Sequence, residues 1–253
     1  MQRLSEQERN SLLTKLRKEL EANADPKTKE WFDNYLKGAI SYRGLKSPLV
    51  KTLVKKWHQE SILHQYSPIS RLDLCVDLIA GSFAEDKFAG TIYIQEFLLQ
   101  EIAYETLLDK FNWLFQQGYF YDWSTTDWFC TRVLDPLILK NGMNAANIVA
   151  SWQSSENLWQ RRASIVAFRR ASLQDEYHDL IKKIIATLVM EKERFIQTGI
   201  GWLLSDMSKK YPIEVEAIFR QYIQEFSKEV IDRHTKYLDC HQELKKLKRS
   251  LPD

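Results

Sequence analysis

ERFIQTGIGWLLSDMSKKY, residues 193–211, decides the fold. It reads as one amphipathic helix although Gly199 and Gly201 lie inside it, where each costs stability relative to alanine. Glycines kept there point to close approach by another helix or by a ligand backbone. Two similar segments lie upstream. DWFCTRVL starts at residue 127, NLWQRRAS at 157 and RFIQTGIG at 194, so the starts are 30 and 37 residues apart. The segment around Val230 extends the series, 34 residues after Ile196. Each opens a helix with a polar residue followed by apolar ones, and a second helix follows. Two-helix units at this period stack into solenoids.

The rest of the chain carries the same periodicity. SEQERNSLLTKLRKELEANA opens at a Ser5 cap and places Leu12, Leu13, Leu16 and Leu20 on one stripe. PKTKEWFDNYLKGAI starts at Pro26 and sets Trp31, Tyr35 and Leu36 on one side. SPLVKTLVKKWHQES opens with Ser47 and Pro48, a cap followed by a first-turn proline. TIYIQEFLL has strand-like composition, but its length and neighbours make it a buried helix. Short links and the absence of a Pro/Gly/Ser-rich spacer predict antiparallel helix pairs in a single domain over residues 1–253. The expected fold class is all-α, a superhelical solenoid. With 8 Gly and 6 Pro, a turn-rich all-β chain of this length is excluded.

Composition narrows the function classes only a little. The chain is 44% hydrophobic and 28% charged, and its net charge of +2 singles out no partner. Cys75, Cys130 and Cys240 are odd in number and far apart, which fits free thiols. Cys130 reads as core. His234 and His241 are one heptad apart and read as surface residues. No metal or cofactor is expected. The polar start and the absence of a long apolar run predict neither a secretion signal nor a membrane span. Eight tryptophans are many, and large aromatics line binding surfaces as well as cores.

YDWSTTDWF, residues 121–129, is the densest candidate site. Helix rules alone account for it, with Ser124 as N-cap, Asp127 as the capping-box acid, and Trp123 and Trp128 as a hydrophobic staple. Basic residues gather in the repeats. Arg162 and Arg169 share a face seven residues apart, Arg170 lies one position round, and Arg132, Arg161, Lys182, Lys183, Lys209, Lys210 and the 245–249 tail add charge. The pattern suits a phosphate-binding groove, and it equally describes a solvated face. By pattern alone Tyr35 belongs to the core.

Four stretches together resemble the DNA alkylation repair glycosylases built from HEAT-like repeats, the AlkD-like family. NYLKGAISYRGLKSP (34–48) is similar to the family's N-terminal tyrosine helix and G-[IL]-x-x-P loop, and WSTTD (123–127) to its W-x-x-x-D segment. SSENLWQRRA (154–163) matches N-x-W-x-x-R-A, and RFIQTGIGWLL (194–204) matches F-I-Q-x-x-I-G-W. The resemblance covers about residues 25–215, leaving 216–253 as C-terminal helices. It implies a glycosylase that releases cationic alkylpurines such as 7-methylguanine and 3-methyladenine without flipping the base. Asp127 would be the catalytic carboxylate, with Trp123 and Trp202 embracing the deoxyribose. Arg162, Tyr35, Arg169 and Arg170 would contact DNA. The implied partner is double-stranded DNA carrying alkylated bases, bound by a monomer in the cytoplasm at the nucleoid. A non-catalytic binder of damaged DNA and a HEAT-type protein scaffold are the alternatives. Two features depart from the family pattern. Asp122 adds a charge expected to weaken DNA approach, and Trp128, Phe129 and Cys130 replace a smaller, more polar helix start.

Overall fold

The computed structural model describes residues 2–251, and its regular structure is helical throughout. Among the described residues no β-sheet forms, and only two isolated bridges occur, Gln2 with Tyr66 and Ser41 with Phe83. No helix is long and apolar enough to cross a membrane. The chain divides into two compact units, one ending at Val133 and the other beginning at Leu134.

The first unit contains α1 (Glu6–Ala22), α2 (Pro26–Leu36), α3 (Ser47–Glu60), α4 (Pro68–Ile79), α5 (Ala84–Tyr93), α6 (Tyr104–Gln116) and α7 (Trp123–Phe129). The capping box at α1 forms as its sequence requires: Ser5 accepts from the Glu8 amide, and the Glu8 carboxylate accepts from the Ser5 amide at 2.8 Å. Asp25 caps α2, and Pro26 sits where its missing N–H costs nothing. Lys46, one residue before Ser47, is the N-cap of α3. The strand-like TIYIQEFLL is helical, with α5 running on into a π-helical turn at Ile94–Leu98.

Helices α1, α3, α5 and α7 pack in succession, each on the next, and α4 lies along α5. The first turn of α5, Glu85-Asp86-Lys87, is buried outright, which is unusual for three ionisable side chains. Each is matched by a fixed partner. The Glu85 carboxylate accepts the backbone N–H groups of Arg43, Gly44 and Leu45 at 2.8 to 3.1 Å. Asp86 pairs with Arg43 at 2.8 Å and Arg17 at 3.2 Å. The Lys87 ammonium donates to the carbonyls of Ile79 and Tyr119. Gly44 is obligatory in this loop: its φ is +113°, and a Cβ there would collide with the Asp25 carbonyl.

The second unit contains α8 (Asp135–Ser151), α9 (Leu158–Val166), α10 (His178–Leu188), α11 (Arg194–Met207), α12 (Pro212–Gln221), α13 (Lys228–His234) and α14 (His241–Ser250). Gly142, at φ +64°, breaks α8 where the sequence LKNG predicts a helix end. The repeat read from sequence at 157, 194 and 230 corresponds to α9, α11 and α13, which pack side by side in that order. Both glycines of α11 serve helix approach: a Cβ at Gly199 would press on the Arg162 guanidinium of α9, and one at Gly201 on the His234 ring of α13. His234, expected at the surface, is therefore packed against a helix. All three cysteines are free and buried.

Removing the charge at Glu85 tests the loop clamp. Glu85→Gln replaces one acceptor oxygen with a donor facing backbone N–H groups. It should cost about 2–3 kcal/mol and lower the melting temperature by roughly 5–10 °C. An unchanged melt would show that the carboxylate does not hold the loop.

Candidate functional site

In the first unit the candidate residues gather on α7. Its N-cap is Asp122, not Ser124. The Asp122 carboxylate accepts from the amides of Ser124 (2.8 Å) and Thr125 (3.0 Å) and from both their hydroxyls. The helix thus starts two residues earlier than the capping-box reading places it. Sequence reasoning missed this because Asp and Ser are near-equal caps, and the register was chosen on the acid at 127. The Asp122 side chain is buried and turned into the helix start. Its charge faces Lys87. Burial pushes the Lys87 ammonium down to about 8, against the opposing pull of Asp122 and Asp86.

Trp123 is the first residue of α7, and Trp128 does not pack on it. Trp128 lies 4.8 Å from Phe88, with the Arg132 guanidinium over its ring. Trp123 instead receives Tyr35 of α2 edge-on, at 5.5 Å between ring centroids. Tyr35 is 55% exposed, so the core placement suggested by its pattern is overturned. On its other side it stacks on Trp31 at 5.1 Å and 18°. Trp31 is a further candidate that sequence reasoning passed over, although its i, i+4 spacing to Tyr35 was the available signal. Asp127 stands one helical turn beyond Trp123 and is 8% exposed. Its backbone carbonyl accepts from the Thr131 hydroxyl at 3.0 Å.

The remaining candidates belong to the second unit. Arg162 is only 5% exposed, and its guanidinium donates to the Phe195 carbonyl in the first turn of α11. The Arg169 guanidinium carbon lies over the half-buried Trp202, 3.4 Å from the ring centroid, and Asp206 holds the side chain there. Asp206 also binds Lys209 at 2.5 Å. These side chains line an open cavity of about 610 Å³ with Ser205, Ser208 and Tyr237. Arg170 reaches outward from the buried Asp135, whose Oδ2 accepts from its Nε at 2.9 Å. Among the described residues, no group of acids, His and Cys is arranged to hold a metal.

Several residues of the matching motifs have architectural work. Asn157 caps α9 through the amides of Trp159 and Gln160. Trp159 packs on Phe195 at 4.9 Å. The Gln197 amide donates to the carbonyls of Val189 and Glu191, and its oxygen accepts from the Ser227 amide ahead of α13. These motif residues therefore specify how one helix docks on the next.

Residues 16–245 match the family described as DNA alkylation repair enzyme. The chain is similar to a solved structure, "Predicted DNA alkylation repair enzyme from Enterococcus faecalis". The TM-score is 0.72 at 21% identity, covering 85% of this chain and 97% of that one. At that identity the likeness is one of fold. No curated protein matches the chain.

Asp135 gives the second unit a measurable pH response. Burial pushes its carboxyl up to about 6, with Arg170 and Arg169 pulling the other way. The folded form therefore keeps a proton that the unfolded chain, with its ordinary value of 3.8, has released. Stability is lost as pH rises through this window, by roughly 2–3 kcal/mol at its end. Asp135→Asn does not titrate, so its melting temperature relative to wild type should be higher at pH 8 than at pH 4. A gap that is constant with pH would refute the buried-acid account.

Proposed function

Because the chain belongs to the family of DNA alkylation repair enzymes, we propose that it is a DNA glycosylase releasing cationic N-alkylated purines, such as 7-methylguanine and 3-methyladenine, from double-stranded DNA. The observation that carries this reading is the assignment of capping to Asp122. With the helix start already satisfied, capping no longer accounts for a second carboxylate at Asp127, one turn beyond Trp123.

The chemistry follows from the substrate. An alkylpurine is already positive, so it departs as a neutral base when the C1′–N bond breaks and takes the bonding pair. No general acid is needed. Positive charge develops on the sugar, and the Asp127 carboxylate stabilises it. Water then adds to C1′, and Asp127 takes up the proton it releases. Trp123, on the helix of Asp127, offers an indole to the damaged nucleotide's sugar, Trp202 offers one to the DNA, and the base stays outside any pocket, unlike in base-flipping enzymes. Tyr35, Arg169 and Arg170 contact the duplex. Arg162, held on the Phe195 carbonyl, acts on DNA by fixing the first turn of α11. The protein works as a monomer at the nucleoid.

Asp127→Asn separates catalysis from folding. Single-turnover release of 7-methylguanine should fall by about a hundredfold or more, while the melting temperature stays within a shift equivalent to about 1 kcal/mol. Asp122→Ala is the matched control for capping and should lose about 1–2 kcal/mol of stability. Equal release by wild type and Asp127→Asn would remove Asp127 from the mechanism.

A further inference from the structure

We propose that Trp31 is a base-stacking residue, whose free indole face receives an unpaired nucleobase of the bound duplex. The inference rests on the reading of the protein as a DNA repair enzyme. Three observations carry it.

The first is exposure. Trp31 is 58% exposed on a helix that otherwise buries Leu36 and half-buries Phe32. An indole this open gains little for folding where it stands. The second is preorganisation. Tyr35 stacks against one face of Trp31, and the Phe32 ring stands perpendicular to it at 5.0 Å. Two neighbouring rings thus restrain the indole, and more than half of its surface stays open to solvent. A second aromatic surface fixed in advance is what a flat π-system binds with least ordering cost. The third is continuity. Trp31, Tyr35 and Trp123 form an unbroken row of rings that ends at the helix bearing Asp127. A duplex seated on Trp123 and Tyr35 therefore passes over Trp31 as well.

The charges on α2 agree with a nucleic-acid occupant. Lys27 lies on the same stripe as Trp31 and Tyr35, at i, i+4 and i+8, and is exposed. Of the two acids on this helix, Asp33 pairs with Lys29 at 2.6 Å and Glu30 is exposed, so the charges of α2 sum to zero and Lys27 is its cation on the Trp31 stripe. The occupant is a base that has lost its partner, because a paired and stacked base presents only its edge to a protein. Stacking does not read sequence, so Trp31 adds recognition of a break in pairing without base preference.

The test uses duplexes carrying a tetrahydrofuran abasic analogue, which has no base to release, so the measurement reads binding even if the proposed glycosylase activity is absent. Binding to intact duplex, to duplex with one analogue opposite an orphan base, and to duplex with two analogues facing each other is measured by fluorescence anisotropy at fixed salt. Trp31→Leu keeps apolar bulk over Tyr35 but has no π face, and Trp31→Phe keeps a smaller one. Wild type should prefer the orphan-base duplex over the intact one. Trp31→Leu should lose about tenfold of that preference, and Trp31→Phe should keep most of it. On intact duplex and on duplex with facing analogues, any loss of affinity in either variant should be well below the tenfold loss on the orphan-base duplex. Equal preference in both variants would overturn the proposal. So would a loss by Trp31→Leu that is the same on all three duplexes, which would make Trp31 a general contact.

Discussion

Everything in the first unit that bears on function is fastened to the buried first turn of α5. Glu85 holds the loop after α2 by three backbone amides, so it fixes where the helix carrying Trp31 and Tyr35 ends. Lys87, two residues on, holds the carbonyl of Tyr119 just before the Asp122 cap of α7. One helical turn thereby sets both the aromatic row and the helix that bears Asp127. Buried ions carry a large desolvation cost, and each here is matched by backbone or a partner charge. Such an arrangement tolerates little drift in geometry, which is what the proposed site of stacked rings and one carboxylate would require.

The two units use charge differently. The first buries its charges in order to position aromatic rings. The second holds several of its cations against acids, Arg161 with Glu191, Arg169 with Asp206, Arg170 with Asp135 and Arg194 with Glu229, while Arg162 is buried on the Phe195 carbonyl. A phosphate reaching the paired arginines must compete with a carboxylate already in place. The electrostatic attraction of DNA is accordingly smaller than the count of basic residues implies, which is why composition and net charge alone could not identify a partner.

Local rules made most of the fold legible. Apolar stripes, Ser5 with Glu8, Pro26 and the LKNG break all fall where helix physics places them, because these signals are contained within a few residues. The errors arose where two local solutions compete or where a distant residue decides. Asp122 and Ser124 are alternative caps of similar worth, and Trp123 has its partner on another helix rather than at Trp128. Tyr35 looked like core because its side of α2 carries Leu36, but only Leu36 turns inward. The glycines of α11 were correctly read as points of close approach, yet the partners, Arg162 and His234, lie 37 and 33 residues away in the chain. Among the site residues, sequence could supply identity and spacing. It could not supply that Arg162 is buried or that Arg169 lies on Trp202.

The contact between Gly201 and His234 also constrains how this protein can change over generations. A Cβ at position 201 would come within 2.6 Å of the imidazole Cδ2, in a helix that packs on both neighbours. The glycine is therefore not replaceable while the histidine stays. The histidine itself sits with its buried Nε2 lacking a hydrogen-bond partner, so a smaller apolar residue there removes a polar burden as well as volume. The accessible mutational path is ordered: position 234 shrinks first, and position 201 accepts a side chain only after that and with a small shift of Val230, whose Cγ1 would lie 3.1 Å from the new Cβ. Relatives in this lineage should show the two positions covarying, with alanine or serine at 201 confined to chains that have lost the imidazole.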